Sequence, residues 1–379
     1  MMKDSNGIMT KTSEHTMQIN IGPQHPSTHG VLRMLVTLCG EQIIKIEPII
    51  GYLHRGMEKM AETRTYMQYL PIVDRVDYLS GFFCSYAYIS AIENLINTDI
   101  PIKAKYIRTL TMEMNRISSH LLWLGCYLLD LGATSPLFYT FIEREKILNI
   151  FEDLTGSRMM YNYYTFGGVK RDIEKELLIR IKKFSNEFLK AVQEYEDLIT
   201  NNPIFLTRTK NIGILSKEDA IEYSITGANL RACGIQKDLR KDSPYLIYNN
   251  LEFSVPIETI SDSHSRYLMR IKEMKESNKI INQCTDWLLS NIEDNEINTK
   301  INPLTIKPNG TALGEVESTR GLLQCYIEAN GTEFPNRIKW RTPSFYSTQA
   351  INTIAKGFML PDLMAIFGSL DIIMPEVDR

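Results

Sequence analysis

Two histidines spaced four residues apart, His25 and His29, lie in the segment GPQHPSTHG at residues 22–30. Imidazole side chains can bind a metal ion, or they can donate hydrogen bonds and protons to a ligand. On a helix this spacing would place both rings on one face. Pro23 and Pro26, however, bias the residues before them away from helical conformations. The sequence therefore predicts a stiff loop that presents both imidazoles to a ligand.

The loop is flanked by segments with the composition and alternation of β-strands. Residues 17–21 and 31–36 are predicted as strands, and residues 40–41 as a turn that leads to a further strand at 43–46. The two histidines are therefore expected at one end of a small N-terminal sheet.

Longer apolar periods predict that most of the remaining chain is helical. Between residues 103 and 130, apolar side chains recur at steps of three and four, which commits one helix face to packing. The further predicted elements are helices at 137–154, 173–199, 264–289 and 348–367, the last with a break at Pro361, and strands at 314–327 and 338–341. The predicted fold class is α+β, with a mainly helical core flanked by small N- and C-terminal sheets.

Three further side chains have types that suit proton or charge chemistry. Tyr78 lies in an aromatic-rich segment that is predicted to be helical, and such a tyrosine is typical of a core. Asp130 ends the long predicted helix, where a carboxylate is unfavourable for the helix dipole, and this mismatch favours a special role. Arg55 by itself is typical of a surface arginine.

Other titratable residues are predicted to be structural. His54 and His120 are expected to be satisfied by hydrogen bonds, and His264 is expected to be exposed. The chain contains six cysteines and no CxxC pair, which is typical of reduced thiols and argues against a disulfide framework or a cysteine-bound cluster.

Composition limits the functional classes further. The chain has 379 residues, 44% of them hydrophobic, and a formal net charge of -3 at pH 7, so nothing indicates a nucleic-acid-binding protein. The polar N-terminus shows no secretory signal. The most apolar window, residues 121–141, is interrupted by Asp130, Gly132 and Pro136, so no membrane-spanning helix is expected there.

Several short motifs along the chain resemble those of one family. They are GPQHPSTHG at 22–30, GYLHRGMEK at 51–59, DRVDYL at 74–79, RISSHL at 116–121, NPIFL at 202–206, DLRK at 238–241 and EVDR at 376–379. Together they resemble the quinone-site subunit of respiratory complex I, which is the D-type subunit in bacteria and the H-type subunit in the cyanobacterial and plastid version. The resemblance runs from about residue 17 to the last residue.

The resemblance implies a fold shared with the large subunit of nickel–iron hydrogenases. Those enzymes hold their metals with CxxC pairs near each end of the chain. This sequence has no CxxC pair, so that thiolate ligation is excluded and no metal is expected. The implied organisation is a flexible tail at 1–16 and a single domain at 17–379, with a β unit at 17–50, a helical core at 51–300 and an α/β part at 301–379.

The resemblance also implies roles for particular residues. Quinone reduction requires hydrogen bonds and protons for both ring oxygens, which Tyr and His can supply. His29 and Tyr78 match the two headgroup ligands, and Asp130 matches the carboxylate that pairs with the histidine, so these three are the predicted catalytic residues. His25 matches a histidine that lines the quinone cavity. Arg55 matches an arginine beside an iron–sulfur cluster of a neighbouring subunit, where its charge would stabilise the reduced cluster.

Four positions depart from the family pattern. Met160 stands where many members have a histidine close to the cluster, and this loss should weaken the pH dependence of the cluster potential. Thr165, Lys237 and Pro375 replace a common arginine, tryptophan and glycine. None of these positions is a predicted quinone ligand, so the departures concern the tuning of the cluster.

The activity implied by the resemblance is that of a peripheral-arm subunit of a proton-translocating NADH–quinone oxidoreductase. Quinone is the substrate, and the chain binds no cofactor alone, because the cluster lies in an adjacent subunit and NADH binds at a distant one. The implied partners are a cluster-bearing small subunit, a protein like the C-type subunit of the complex and the quinone-channel subunit of the membrane arm. The implied location is the cytoplasmic side of a bacterial inner membrane, or the matrix or stromal side in an organelle.

Two other functions are consistent with parts of the sequence. A metal-dependent hydrolase could use His25 and His29, but it would need a third ligand and an open coordination position, and no HExxH pattern supplies them. A structural subunit of the same complex could keep the fold without quinone chemistry. The sequence leaves open whether the electron donor is NADH or ferredoxin, and which quinone is used.

Overall fold

The computed structural model describes residues 10–13, 16–23, 30–302 and 305–379. Its α-helices are α1 (Met57–Ala61), α2 (Tyr66–Val73), α3 (Gly81–Ile96), α4 (Ile102–Asp130), α5 (Ser135–Thr155), α6 (Lys175–Tyr195), α7 (Pro203–Thr209), α8 (Lys217–Glu222), α9 (Gly227–Ala232), α10 (Leu239–Asp242), α11 (Ser263–Ser290), α12 (Pro343–Gln349), α13 (Ile351–Ala355), α14 (Asp362–Leu370) and α15 (Met374–Asp378). Its strands are β1 (Thr10–Ser13), β2 (Thr16–Ile21), β3 (Arg33–Cys39), β4 (Gln42–Ile49), β5 (Tyr164–Thr165), β6 (Gly168–Val169), β7 (Asn309–Ser318), β8 (Gly321–Asn330) and β9 (Arg337–Arg341). The predicted α+β class with a mainly helical core is confirmed.

The N-terminal strands form a four-stranded antiparallel sheet in the order β1-β2-β3-β4. The predicted strands and the turn at residues 40–41 are confirmed, and β1 adds a strand within the predicted tail. Along β3, the buried residues Met34, Val36 and Leu38 alternate with less buried ones. This face packs in one apolar cluster with residues of α13 and α14, so the sheet that carries the histidine loop is fixed against the C-terminal helices.

The helix α4 is the central element of a second, larger apolar cluster. It follows Pro101, spans 29 residues and packs against α5 and α11. The predicted helices at 103–130, 137–154 and 264–289 are confirmed as α4, α5 and α11. The predicted helix at 173–199 is α6, which ends in a π-helical turn at Glu196–Thr200. None of the helices among the described residues combines the length and apolarity required to cross a membrane.

The C-terminal sheet differs from the expectation in one respect that matters for the site. The predicted strand at 314–327 is an antiparallel hairpin, in which Ser318 pairs with Gly321 and the chain reverses at Thr319 and Arg320. Gly321 has a φ of 133°, in the region that favours glycine. The hairpin turn points Arg320 into the protein, where only 2% of it is exposed.

The helix predicted at residues 348–367, with a break at Pro361, is interrupted earlier than predicted. The region contains the end of α12, then α13 and α14, and the break begins at Lys356, before Pro361. Gly357 donates a backbone hydrogen bond to the carbonyl of Ile43, and Leu360 donates one to Glu41. Pairing with the β3–β4 hairpin therefore replaces helical hydrogen bonds in this segment.

A cluster of buried ion pairs crosses the helical core. Its titratable members are Glu113, Arg116, His120, Arg231, Asp238, Arg240, Glu273 and Glu317. Arg116 also donates to the carbonyls of Glu317 and Ser318, at 2.7 and 2.9 Å. Separating the β7–β8 hairpin from α4 would break these buried pairs and leave uncompensated charges, which is costly. The cluster therefore holds the hairpin against α4.

His120 and His264, which lie outside the loop, differ from their predictions in part and in full, respectively. The Nε2 atom of His120 lies 3.0 Å from Glu273, while its Nδ1 atom has no partner among the described residues. Burial lowers the pKa of His120. The prediction that His264 is exposed is wrong, because its side chain is half-buried and its Nε2 atom lies 3.3 Å from the carbonyl of Thr200.

Candidate functional site

The last residues of the chain lie at the centre of the candidate site. The carboxylate of Asp378 accepts hydrogen bonds from the backbone N–H groups of Gly51 and Leu53, both at 2.8 Å. The Nδ1 atom of His54 lies 2.8 Å from the carbonyl of Asp378, which confirms His54 as a hydrogen-bonded residue. The C-terminal helix α15 therefore holds the whole segment 51–55.

Arg55 joins this C-terminal segment to the turn that follows α2. Its guanidinium donates to the carbonyl of Arg75 at 2.8 Å and to the carbonyl of Pro375 at 2.9 Å. The side chain is half-buried, unlike the surface arginine that the residue type alone predicts. Burial lowers the pKa of Arg55, and the charge of Asp378 opposes this effect. The arrangement fixes a cation at this edge of the molecule.

Tyr78 lies in the turns of residues 74–80 between α2 and α3, so the prediction of a helical segment is wrong. The carboxylate of Asp77 explains the difference. One of its oxygens accepts from the backbone N–H of Leu79 at 3.0 Å, and the other accepts from Arg320 at 2.6 Å. Local bonds of this kind compete with helix formation. Tyr78 is half-buried; burial and then the charge of Asp77 raise its pKa, while Arg320 opposes them.

Arg320 connects the Tyr78 turn to the chain end. Besides Asp77, its guanidinium donates to the hydroxyls of Thr319 and Ser119, at 2.9 and 3.2 Å, and to the carbonyl of Asp371 at 3.1 Å. The carboxylate of Asp371 lies 3.4 Å away. Arg320 is not among the residues predicted from the sequence. The polar run Ser318–Gly321 between two apolar runs was the available signal, because it marks a hairpin turn.

Asp130 and Tyr78 approach the same cysteine. Asp130 is the last residue of α4 and is half-buried, as its predicted position requires. Burial raises the pKa of Cys126, one turn earlier on α4, and the charges of Asp130 and Asp371 raise it further. Cys126 and Asp371 also act on the pKa of Tyr78. Tyr78 and Asp130, two of the three predicted catalytic residues, therefore both interact electrostatically with Cys126.

The two loop histidines, His25 and His29, lie outside the described residues, which omit 24–29. The structure describes the chain again from Gly30, where the loop ends. At Gly30, where φ is 135°, an added Cβ atom would lie 3.5 Å from the side chain of Met374. The loop that carries both histidines thus ends against α15, the helix that also holds Arg55.

The segment that contains Met160 is hydrogen-bonded to the turns of residues 74–80. Met160 has a φ of 57°, and it lines a cavity of about 320 Å³ with Asn162 and Lys170. The backbone N–H of Asn162 donates to Asp74 at 3.1 Å. Burial raises the pKa of Asp74 to about 6. Arg55 bonds to residue 75 and the Met160 segment bonds to residue 74, so both predicted cluster neighbours are fixed to one turn.

Among the described residues, the structure contains no group of three or more His, Cys, Asp or Glu side chains that could hold a metal ion. All six cysteines are free.

The architecture and the convergence of these segments on the chain end define a known class of protein. The chain belongs to the family of the 49 kDa subunit of respiratory-chain NADH dehydrogenase, whose model matches residues 130–379. Its relatives in that family are named more specifically, as the D-type subunit of NADH-quinone oxidoreductase. The relative of that name from Bacillus mycoides is 44% identical over 370 residues, which is 98% of this chain and 100% of the relative. Proteins of the same name from Bacillus cereus and Bacillus anthracis are 43% identical over the same shares. The family predicted from the motifs is confirmed.

Proposed function

We propose that this chain is the peripheral subunit of a proton-translocating NADH–quinone oxidoreductase that forms the quinone headgroup site. Identity of 44% along 98% of the chain to a protein named as a subunit of NADH-quinone oxidoreductase supports the complex. The observation that most supports a quinone site is the position of Tyr78. The turn that contains Tyr78 is held by the ion pair between Asp77 and Arg320, at 2.6 Å.

In this proposal, Tyr78 and His29 hold the two ring oxygens of the quinone and supply a proton to each. The hydroxyl of Tyr78 has no hydrogen-bond partner among the described residues, and burial raises its pKa, so it remains a proton donor. Electrons arrive from an iron–sulfur cluster of a neighbouring subunit. A proton lost from Tyr78 leaves a negative oxygen near Arg320, whose guanidinium offsets the new charge.

Asp130 has a separate role in the proposal. Its carboxylate pairs with His29 and keeps the imidazole protonated until the quinone takes the proton. The change of charge on this pair then acts as the trigger for proton translocation in the membrane arm. Asp130 acts on Cys126, which in turn acts on Tyr78, and this shared neighbour supports a common site.

The neighbour of Arg55 and Met160 is the cluster-bearing small subunit in this proposal. The other partners are a protein like the C-type subunit of the complex and the quinone-channel subunit of the membrane arm. With these partners the chain lies at the cytoplasmic face of a bacterial inner membrane, or at the matrix or stromal face in an organelle.

The experiment that tests the proposal is Tyr78→Phe, measured as donor-driven quinone reduction in membranes and divided by the amount of assembled complex. Only the hydroxyl is removed, and the loss of a positioned proton donor typically costs about 10²-fold or more. We expect a loss of that order with normal assembly.

The matched control is Tyr66→Phe. Tyr66 is buried in α2, and its hydroxyl has no partner among the described residues, so its loss should leave the rate unchanged. A normal rate in Tyr78→Phe would contradict the quinone role of this tyrosine. A structural subunit without quinone chemistry would then be the better interpretation.

A further inference from the structure

The carboxyl group of Glu376 is completely buried in α15 and is used by none of the steps above. Its relative exposure is 0%. The hydroxyl of Ser344, on α12, donates to one of its oxygens. The other oxygen, Oε1, has no partner among the described residues. A buried carboxyl group with so few partners requires an explanation.

Glu376 belongs to a group of charges that surrounds Arg320. The groups that act on this guanidinium include Asp371, Asp77, Glu376 and Tyr78. Asp77 takes the strong hydrogen bond at 2.6 Å. The carboxylate of Asp371 lies 3.4 Å from Arg320 and 3.7 Å from Arg270. Among the described residues, no salt bridge connects Glu376 to a cation.

The cations of this region are paired with two of the three carboxyl groups. Arg320 contacts Asp77 and Asp371, and Arg270 lies 3.7 Å from Asp371, whereas Arg341 acts on Glu376 without a salt bridge among the described residues. An uncompensated charge in the interior is expensive, so one carboxyl group must take up a proton. Asp77 and Asp371 each contact a guanidinium, whereas the only side-chain hydrogen bond of Glu376 among the described residues comes from the Ser344 hydroxyl. Glu376 is therefore the neutral member.

The net electrostatic effect on Glu376 favours the neutral form. Burial, and then the charge of Asp77, raise the pKa of Glu376 to about 8, although Arg320 and the bond from Ser344 oppose the shift. Glu376 also acts on two other titratable groups, Cys84 of α3 and Arg341 of β9. At neutral pH the carboxyl group is protonated.

We propose that Glu376 is a buried proton store, which returns a proton to Tyr78 after Tyr78 has protonated the quinone. The inference rests on the proposed role of Tyr78. In this step the O–H bond of the carboxylic acid breaks and its electron pair stays on Glu376. The O–H bond of Tyr78 forms again, and no electron enters or leaves the chain. Arg320 acts on both groups, so the negative charge moves from one neighbour of this guanidinium to another.

Polar hydroxyl groups lie beside Arg320, the guanidinium that acts on both Glu376 and Tyr78. Ser80 and Thr319 are hydrogen-bonded to each other at 2.7 Å, and Arg320 donates to both. Hydroxyl groups can accept one proton and release another, so they can carry a proton without a change of charge. The direction is favourable because a phenolate is a stronger base than a carboxylate.

The test is Glu376→Gln in the assembled complex. Glutamine keeps the volume and can accept the bond from Ser344, but it has no proton to give. We expect quinone reduction per assembled complex to fall about tenfold or more at neutral pH, with KM for quinone unchanged. In the unsubstituted complex the rate should fall as the pH rises above about 8, and the variant should lack this decline. Its infrared spectrum should also lack the C=O stretch of one buried carboxylic acid.

The matched control is Glu143→Gln. Glu143 is also buried, and its Oε2 atom has no partner among the described residues, but it lies on α5 and pairs with Lys146. This variant should keep the normal rate and the alkaline decline. An unchanged rate and pH profile in Glu376→Gln, or an infrared spectrum with the same carboxylic acid band, would overturn the inference.

A second variant covers the case in which Glu376→Gln does not assemble. Ser344→Ala removes the donor that favours the ionised form of Glu376, so the alkaline decline should move to higher pH. A decline at the same pH would also contradict the inference. If Tyr78→Phe is slow while Glu376→Gln is normal, only the proton store is wrong. If both variants are normal, the proposed quinone site itself is wrong.

Discussion

Tyr78 differs from Tyr88 and Tyr164, two fully buried tyrosines, in what its hydroxyl contacts, and from Tyr66 in being only half-buried. Tyr88 donates to the carbonyl of Tyr66 at 2.9 Å, and Tyr164 donates to the carbonyl of Arg108 at 2.9 Å. Such bonds satisfy the hydroxyl within the core. Tyr78 has no described partner of this kind and is half-buried, so its hydroxyl is available to a ligand while the ring is held by its turn.

The absence of a histidine at position 160 gives a prediction at the residue scale. Met160→His would place a group that titrates near neutral pH at the surface proposed to face the cluster. The backbone there has a φ of 57°, a conformation in which histidine is found more often than most residues. We expect the midpoint potential of the neighbouring cluster to become more dependent on pH between about pH 6 and about pH 8, because protonation stabilises the reduced cluster.

Redox titration of the assembled complex, followed by electron paramagnetic resonance, measures this effect. Met159→His is the control, since Met159 precedes Met160 and is exposed. Equal pH dependence in the Met160→His variant and the unsubstituted complex would mean that this residue does not face the cluster.

At the scale of elements, sequence patterns predict the long helices well. The apolar period predicts a helix at 103–130 where α4 spans Ile102–Asp130, and one at 264–289 where α11 spans Ser263–Ser290. Over more than twenty residues such a period leaves little room for another structure. The hairpin β7–β8 was predicted as one strand because its turn is only two residues long.

The site itself could be predicted only in part, for a physical reason. Tyr78 and Arg55 lie in motifs with a family resemblance, and Asp130 is matched by its place at the end of the long predicted helix, so all three are identified without a structure. Arg320 is in no such motif, and its partner Asp77 is 243 residues away along the chain. A contact of that range leaves no local periodicity, so only the folded chain reveals it.

The contact between α4 and α5 gives a prediction at the element scale. A Cβ atom at Gly125 of α4 would lie 2.6 Å from the hydroxyl of Thr140 and 2.9 Å from a methyl group of Leu137. Gly125→Ala gains about 1 kcal/mol of helix propensity, but overpacking of this kind costs about 1–3 kcal/mol. The cost of overpacking exceeds the gain in helix propensity, so we expect faster thermal inactivation of the assembled complex. The strained contact lies about one helical turn before Asp130.

A second substitution tests the cause of that effect. Thr140→Ala removes the closest atom, so the double variant Gly125→Ala with Thr140→Ala should recover part of the stability that Gly125→Ala loses. A Gly125→Ala complex as stable as the unsubstituted one would show that α5 moves away at little cost.

At the scale of the whole molecule, the end of the chain organises segments from its beginning. The helix α15 contacts the return of the histidine loop through Met374 and holds Arg55 through Pro375. Asp371, just before it, meets Arg320 and hence the turn of Tyr78. The histidine loop, Arg55 and the Tyr78 turn are thus all held by residues near the end of the chain. A substitution there should therefore affect both the proposed quinone site and the surface proposed to face the cluster.

Asp378→Asn tests this dependence on the chain end. The carboxylate of Asp378 accepts from Gly51 and Leu53 with different oxygens, both at 2.8 Å. An amide offers only one acceptor, so one partly buried N–H loses its partner, at a cost of about 0.5–1.5 kcal/mol. We expect faster hydrogen exchange at residues 51–55 in the assembled complex and slower quinone reduction, because Arg55 follows this segment.

The matched control is Asp99→Asn. Asp99 also accepts a backbone hydrogen bond, from Ile100 at 2.9 Å, but it lies exposed at the surface before α4. Water can replace that bond, so exchange at residues 51–55 and the rate should not change. If Asp378→Asn gives normal exchange at 51–55 but a slow rate, Asp378 acts on the chemistry directly. If both stay normal, the segment is held by other contacts, such as the bond from the Arg55 backbone to Arg379 at 3.1 Å.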